Sequence, residues 1–243
     1  MHTNSTVLLV GNGRLAKHLK HWNQLVQLPN ELLIWHRLQT QDQLKLHLQK
    51  ASVVWLAISD SAIINFYNQH LSSFNKTVVH FSGALNDERL ISAHPLMTFT
   101  NELFDKSIYQ KIHFSLTGAS ALQKALPNFK NGFSQVQSDH KALYHALCVL
   151  TGNFPQLLWN ETLKEFRNLN IPDSAVELYI QQVCANFIQQ KEKALTGPLV
   201  RKDFKTIESN LESLSTKTTL KNIYSSFNEN FATPLSQTKG SDL

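Results

Sequence analysis

The sequence predicts an α/β protein in which a doubly wound parallel sheet is followed by an all-α domain. From Thr6 to about Gln137, short apolar runs of strand length alternate with helical patterns. This spacing indicates βαβ units with helices on both faces of a sheet. After Ser138, helical periodicity dominates. We therefore expect an α/β domain over residues 1–137, a helical domain over 138–233 and a disordered tail over 234–243.

Local patterns place the individual elements. Runs rich in β-branched and aromatic residues predict strands at Val7–Val10, Leu32–Trp35, Val53–Ile58, Thr77–Phe81, Ile112–Leu116 and Ser134–Val136. The stretches between them predict helices at Leu15–Leu28, Gln41–Gln49, Ser61–Phe74 and Ala119–Phe129. In the helical domain, interruptions are predicted at Gly152/Pro155, Pro172 and Gly197/Pro198, and a helix start at Asp173. Pro155 removes a backbone N–H, so we expect the helix to kink or break there.

Composition and charge exclude several classes of partner. The 243 residues contain 23 Lys and Arg against 18 Asp and Glu, a net charge of +5. Because the sequence has no long basic run, we expect no nucleic-acid partner. The longest strongly apolar run, Val53–Ile58, is far too short to span a membrane. The isolated thiols of Cys148 and Cys184, and the lack of a visible signal peptide, favour a cytoplasmic location.

The most specific local motif follows the first predicted strand. The segment from Gly11 to Ala16 reads GNGRLA and fits G-x-G-x-x-A between a strand and a helix. Gly11 allows a tight turn, Gly13 lets the backbone approach a pyrophosphate, and the helix N-terminus offers free N–H groups. The sequence therefore predicts a dinucleotide site formed by Gly11, Asn12, Gly13, Arg14 and Leu15. The alternative is an ordinary glycine turn that binds nothing.

The ends of the second and third strands refine this prediction. An NAD site needs a carboxylate after the second strand, but this sequence has His36 and Arg37 there. An arginine can hold a 2′-phosphate through two parallel hydrogen bonds, so we expect NADP, with NAD less favoured. A solvated surface arginine is the alternative. After the third strand, Ile58 and Ser59 are expected to line the cofactor crevice, and Asp60 to cap the next helix.

The fourth strand leads into Ser82 and Gly83, which are expected near the nicotinamide. There, a hydroxyl and a free N–H can hold a substrate carboxylate or carbonyl. Both residues are predicted to bind the substrate.

Taken together, these segments resemble a known family. GNGRLA, WHR, AISDSAI, HFSGAL and SAHPLMTF occur in that order, followed by LYHA and by LTGPLVRKD. The order is similar to that of Rossmann-like oxidoreductases whose C-terminal half is catalogued as "domain of unknown function 2520". The resemblance extends from about Val7 to Phe227. More distantly, the sequence is similar to pyrroline-5-carboxylate reductase, ketopantoate reductase, prephenate dehydrogenase and the 6-phosphogluconate dehydrogenase group.

The resemblance implies an NAD(P)-binding domain followed by an all-α domain like that of 6-phosphogluconate dehydrogenase, often in a dimer. The family has no settled reaction. Because the helical part is small and the chain has few charges, we expect a homodimer formed through the helical domain.

Three residues are candidates for catalysis. Histidine can donate a proton near neutral pH, and Pro95 holds His94 in extended backbone. A similar His-Pro turn lies beside the substrate in prephenate dehydrogenases. The alternative role for His94 is structural, bonded to a backbone carbonyl. His145 is a second candidate proton donor, and Asn153, placed beside the cleft by the proline kink expected in this helix, suits binding of a substrate carbonyl or the nicotinamide amide. The resemblance agrees, because related families use a Lys or Asn on the equivalent long helix. Lys141 also lies there, but ranks below His145.

Arg201 is the remaining candidate in the helical domain. It follows Gly197–Pro198 and is expected to hold a substrate carboxylate; the alternative is a helix-capping pair with Asp203. We expect no metal site, because His140 and His145 point about 140° apart on a helix and no Cys or carboxylate completes a ligand set.

The residues thus predict an NADP-dependent oxidoreductase that transfers hydride between the nicotinamide and a small carbonyl, imine or hydroxy acid. The main alternative is a non-catalytic NAD(P)-binding sensor or interaction protein. An S-adenosylmethionine-dependent methyltransferase fits less well, because such proteins place an acidic residue where His36 and Arg37 stand.

Overall fold

A computed structural model describes residues 5–231, and the chain divides into two compact units. The first unit ends at Asn153 and the second begins at Phe154. The last strand is followed only by helical elements from Ser138 onward, so the first unit also includes the first helix after the sheet. The domain limits expected at residues 137 and 233 stay predictions, and the expected tail lies outside the described residues.

The first unit contains a seven-stranded sheet with the order β2-β1-β3-β4-β5-β6-β7. Its strands are β1 Ser5–Val10, β2 Asn30–Trp35, β3 Val53–Leu56, β4 Thr77–His80, β5 Ile91–Pro95, β6 Phe114–Thr117 and β7 Phe133–Gln135. Neighbouring strands are parallel except for the antiparallel pair of β5 and β6. From β1 the chain moves to β2 on one side and then returns to β3 on the other, so β1 and β3 flank the topological switch point.

Helices cover both faces of this sheet. The helices of the first unit are α1 Arg14–Leu25, α2 Gln41–Lys50, α3 Asp60–Phe66, α4 Lys106–Tyr109, α5 Leu122–Ala125 and α6 Lys141–Cys148. Alternate residues of β1 point to opposite faces: Val7 and Leu9 pack with α1, while Leu8 and Val10 pack with α2 and α3. Both sets are buried, as expected for parallel strands.

The second unit contains only helices in its described part. They are α7 Phe154–Asn168, α8 Asp173–Gln190, α9 Pro198–Arg201, α10 Phe204–Ser213 and α11 Thr218–Phe231. The start of α8 at Asp173 and the interruption before Pro198 agree with the sequence prediction. The sheet followed by helices confirms the predicted fold class. Within residues 5–231, no helix is long and apolar enough to cross a membrane.

Three elements differ from the sequence prediction. The strand β5 was not predicted, because Ser92, His94 and Pro95 interrupt its apolar pattern. The helix expected at Ala119–Phe129 is reduced to α5, because the residue before Pro127 disfavours helical backbone. The interruption predicted at Gly152/Pro155 is present, but as a π-helical turn at Val149–Asn153 between α6 and α7 and not as a break at Pro155.

Candidate functional site

The predicted glycine turn lies at the switch point, at the carboxyl end of β1. Gly11 has a φ of 129°, and its N–H donates to the carbonyl of Trp35 at 2.9 Å. A Cβ added to Gly11 would lie 2.2 Å from the carbonyl oxygen of Ala57 at the end of β3. The turn can therefore approach β3 this closely only with glycine at that position.

Gly13 has a different environment. It precedes α1 with extended backbone, and no side chain caps the helix. A Cβ added to Gly13 would meet no atom within 4 Å, while Ala16 is buried against the sheet. The open space and the uncapped N–H groups fit an anion at this helix N-terminus. Asn12 and Arg14 are exposed, and Leu15 is half-buried.

The residues after β2 and β3 lie beyond the same edge of the sheet. His36 is half-buried and its backbone N–H donates to the Gln39 side chain at 2.8 Å. Arg37 is exposed, and no hydrogen bond or ion pair joins it to another described residue. After β3, Ile58 is half-buried near Gly11, and Ser59 rather than Asp60 occupies the N-cap position of α3.

Asp60 therefore does not have the capping role expected from the sequence. It is the first residue of α3, and its carboxylate accepts a hydrogen bond from the Ser82 hydroxyl at 2.5 Å. The same Ser82 oxygen accepts from the N–H of Leu85 at 2.9 Å. These bonds join the carboxyl ends of β3 and β4, so Ser82 is buried and structural as well as close to the predicted site.

Lys141, which is a weaker catalytic candidate than His145 on sequence grounds, occupies a buried position. Its ammonium donates to the hydroxyl of Ser92 at 2.7 Å and to the carbonyl of Ser82 at 3.4 Å, and only 1% of the residue is exposed. Burial lowers the pKa of Lys141 to about 8, although the nearby charge of Asp60 opposes this shift. The first residue of α6 is thereby fixed to the carboxyl end of β4 and to β5.

Two predicted catalytic histidines and Gly83 come together here. A Cβ added to Gly83 would lie 2.9 Å from Cδ2 of His145 and 3.2 Å from Nε2 of His94. Both imidazoles are half-buried. The structure thus brings β4, β5 and α6 to one point, beyond the same edge of the sheet as the glycine turn.

Tyr144 is a member of this cluster that the sequence analysis did not identify. Its hydroxyl forms a 2.8 Å hydrogen bond with Nδ1 of His94, and the two rings are nearly perpendicular. Burial raises the pKa of Tyr144 to about 12. Helical spacing places Tyr144 one turn after Lys141, but the bond to His94 depends on β5, which was not predicted.

The electrostatic setting keeps the buried imidazoles neutral. Burial lowers the pKa of His94 to about 4, with a further contribution from the charges of Lys141 and His145. Burial also lowers the pKa of His80 to about 4; this fully buried side chain accepts from the N–H of Ser82 at 3.2 Å. At neutral pH His94 is therefore an uncharged hydrogen-bonding group.

Two predicted site residues, Asn153 and Arg201, are not part of this cluster. Asn153 is exposed at the end of the π-helical turn. Arg201 ends α9 in the second unit and is exposed, and its roles in the site stay predictions. Asp203 caps α10 by accepting from the N–H of Thr206 at 3.1 Å, and it forms no ion pair with Arg201. Among residues 5–231, no group of three His, Cys, Asp or Glu side chains could hold a metal ion.

Comparison with known proteins supports the family resemblance. Residues 112–231 match the family model described as "Domain of unknown function (DUF2520)". The match begins just before β6 and ends with α11; it therefore includes the end of the sheet as well as the helices. No curated protein matches the chain.

Solved structures show the same fold at low sequence identity. A protein from Bacteroides fragilis, provisionally described as an NADP oxidoreductase, has a TM-score of 0.73 and 17% identity, over 94% of this chain and 98% of its own. The protein TM1727 from Thermotoga maritima has a TM-score of 0.71 and 20% identity, over 96% and 99%. An imine reductase variant from Myxococcus stipitatus, in complex with NAD+, has a TM-score of 0.54 and 13% identity, over 95% and 96%.

The contrast between the two glycines of the turn gives a first prediction. We expect Gly11→Ala to lower the free energy of unfolding by about 3 kcal/mol, because its Cβ meets the Ala57 carbonyl at a strained φ. Gly13→Ala is the matched control and should cost less than about 1 kcal/mol, since its Cβ meets nothing. Urea unfolding measures both. Equal losses for the two variants would contradict this description of the turn.

The buried ammonium gives a second prediction. Because the pKa of Lys141 is lower in the folded chain than its ordinary 10.5, the unfolded chain binds the extra proton between about pH 8 and 10.5. This charge burial therefore destabilises the wild type below pH 8, and the cost is relieved as the pH rises. Relative to Lys141→Met, the wild type should gain roughly 2–3 kcal/mol between pH 7 and pH 10. Urea unfolding at several pH values tests this, and a difference that stays constant with pH would contradict it.

Proposed function

We propose that this protein is an NADP-dependent oxidoreductase that transfers hydride between the nicotinamide and a small carbonyl, imine or hydroxy-acid substrate. The observation that carries the proposal is the convergence of His94, His145 and Gly83. This cluster lies beyond the same edge of the sheet as the open, uncapped N-terminus of α1. In open α/β sheets, ligands bind at this edge, beside the switch point.

The glycine turn fits a dinucleotide pyrophosphate. Gly11 holds the turn against β3, and the space above Gly13 leaves room for phosphate oxygens at the N–H groups of α1. Asn12, Arg14 and Leu15 would complete this cradle, with Ile58 and Ser59 beside it. His36 and the unpaired Arg37 would hold the adenosine 2′-phosphate, and no carboxylate ends β2 to hold a free ribose hydroxyl.

The reacting end of the site is formed by neutral and cationic groups. Bound NADP supplies or accepts the hydride. His94 and His145 would contact the substrate beside Gly83. The buried ammonium of Lys141, bonded to Ser92, would add positive electrostatic potential to this part of the site. Such a field stabilises negative charge that develops on a substrate oxygen. Ser82, Gly83 and Asn153 are proposed to orient the substrate.

Several structural neighbours agree with this proposal. The imine reductase from Myxococcus stipitatus was solved with NAD+. A reductive aminase from Aspergillus terreus was solved with NADPH and ethyl-5-oxohexanoate, at a TM-score of 0.52 and 14% identity. At these identities the similarity shows a shared fold. The reaction proposed for this chain is tested by the experiments below.

Binding of NADPH tests the cofactor site. Titration with NADPH should enhance its fluorescence, and Gly13→Asp should abolish the enhancement by placing a carboxylate where the pyrophosphate would lie. Gln49→Asp is the matched control, because it adds the same charge on the exposed surface at the end of α2, next to the amino end of β3. A Gly13→Asp variant that binds NADPH as the wild type does would refute the proposed cofactor site.

Arg37 provides a separate test of cofactor choice. If its guanidinium holds the 2′-phosphate, Arg37→Ala should weaken NADPH binding by about tenfold or more, since a charge-assisted hydrogen bond contributes about 1.5–3 kcal/mol. The affinity for NADH should be unchanged. Wild-type protein that binds NADH more tightly than NADPH would overturn the preference.

We also propose a homodimer formed through the helical unit. The side chains of Tyr179, Val183 and Phe187 follow one stripe of α8 and are 66%, 48% and 59% exposed. An apolar stripe of this kind is typical of a protein interface.

Light scattering at micromolar concentration should give a dimer mass for the wild type and a smaller mass for Phe187→Asp. The control Gln181→Asp lies about 120° or more around the helix from the stripe, so it should remain dimeric. A monomeric wild type would contradict the proposal.

A further inference from the structure

The hydrogen bond between Tyr144 and His94 has a definite direction. Nδ1 of His94 lies 2.8 Å from the Tyr144 hydroxyl. If His94 donated this bond, the tyrosine proton would need another acceptor, and a hydroxyl left unsatisfied in a desolvated place costs about 1–3 kcal/mol. Two other side chains interact with Tyr144. The Ser115 hydroxyl lowers the tyrosine pKa, so it acts as a donor to the phenolic oxygen and not as an acceptor of the tyrosine proton. The Cys148 thiol, one turn further along α6, is only a weak acceptor. The imidazole nitrogen is the better acceptor, so the hydroxyl donates to Nδ1.

This direction determines the other nitrogen of the ring. A neutral imidazole carries one proton, so a ring that accepts at Nδ1 must carry its proton on Nε2. That nitrogen lies 3.2 Å from the position of a Cβ on Gly83. No described protein group hydrogen-bonds to Nε2. The N–H is therefore available to a ligand beside Gly83, in the region proposed for the reaction.

The charged and titratable groups around His94 come from several elements. Helix α6 contributes Lys141, Tyr144 and His145. Asp60 belongs to α3, and His80 lies at the end of the neighbouring strand β4. The ammonium of Lys141 and the buried position both oppose a second proton on the imidazole, while Asp60 favours it. The opposing groups dominate, and His94 stays neutral at pH 7.

We propose that Tyr144 is a positioning residue that holds His94 as the Nε2–H tautomer, so that His94 donates a hydrogen bond to the oxygen of a carbonyl substrate. The second part rests on the proposed oxidoreductase function; the tautomer does not. Through this bond β5 and α6 together determine which atom of the imidazole faces the substrate, as in other sites where a second hydrogen bond sets the tautomer of a histidine.

The same arrangement favours a carbonyl over an imine. A carbonyl oxygen is an acceptor, and it would become an alkoxide as hydride passes from NADPH to the carbonyl carbon and leaves NADP+. An N–H donor and a buried ammonium would stabilise this negative charge until the alkoxide takes its proton from water. A protonated imine carries a positive charge and its own N–H, so it would face a donor and the charge of Lys141. An unprotonated imine would need an acid, and the neutral imidazole of His94 is a poor one.

The tautomer can be measured without a substrate. In protein with 15N-labelled histidine, two-bond correlation spectra distinguish the two neutral tautomers from the imidazolium, and His94→Gln assigns the signal. We expect the Nε2–H form at pH 7, and a mostly neutral imidazole still at pH 5. In Tyr144→Phe, the Nδ1 signal should shift to that of an unbonded acceptor nitrogen and a second tautomer should appear. His145→Gln is the control, which should leave the tautomer of His94 unchanged.

Two results would overturn the positioning role. One is an Nδ1–H or doubly protonated His94 at pH 7 in the wild type. The other is an unaltered His94 spectrum in Tyr144→Phe, provided that thermal unfolding shows this variant to be folded. Since neither result depends on NADPH, each is distinct from a failure of the proposed function, which the NADPH titration reports.

A kinetic arm tests the substrate class. In a panel of ketones, 2-keto acids and cyclic imines, the carbonyl compounds should oxidise NADPH. Tyr144→Phe should lower kcat about tenfold or more while leaving NADPH affinity unchanged. Oxidation with imines alone, or none with any compound despite intact NADPH binding, would overturn the carbonyl assignment.

Discussion

A buried ammonium group determines where α6 lies on the sheet. Lys141 donates to Ser92 and Ser82, which stand on β5 and just after β4. Because a buried charge without partners costs several kcal/mol, α6 cannot move away from these oxygens cheaply. The next turn of the same helix carries Tyr144 and His145, so their positions over β5 and Gly83 follow from this anchor. The same charge also helps to keep His94 neutral.

The two ends of the site depend on different physical effects. At the glycine turn the constraint is steric, because Gly11 lies where any Cβ would strike the Ala57 carbonyl. At the histidine cluster the constraint is electrostatic, because burial and the ammonium of Lys141 keep His94 uncharged. The hydrogen bond from Ser82 to Asp60 links the two ends. Asp60 follows β3, which lies beside the glycine turn, and Ser82 follows β4, which leads to Gly83.

The sequence predicted those features that depend on local pattern. Six of the strands, the helix start at Asp173, the interruption at Gly197/Pro198 and the glycine turn all carry their signal within a few residues. The strand β5 carries no such local signal, because its polar residues are buried where they hydrogen-bond to groups that are distant in the sequence, such as Lys141. For the same reason Tyr144 was missed and Asp60 was assigned to a cap. Each of these roles depends on the pairing of β4, β5 and α6, which spacing along the chain does not reveal.

The proposed site requires one ligand to extend from the glycine turn to the histidine cluster. The most direct test compares NADP+ with adenosine 2′,5′-bisphosphate, which lacks the nicotinamide half, by following the histidine signals of the labelled protein. NADP+ should shift the signals of His94 and His145, whereas the shorter probe should displace NADP+ and leave both signals at their unbound positions. Binding of NADP+ without any change at His94 and His145 would contradict the account.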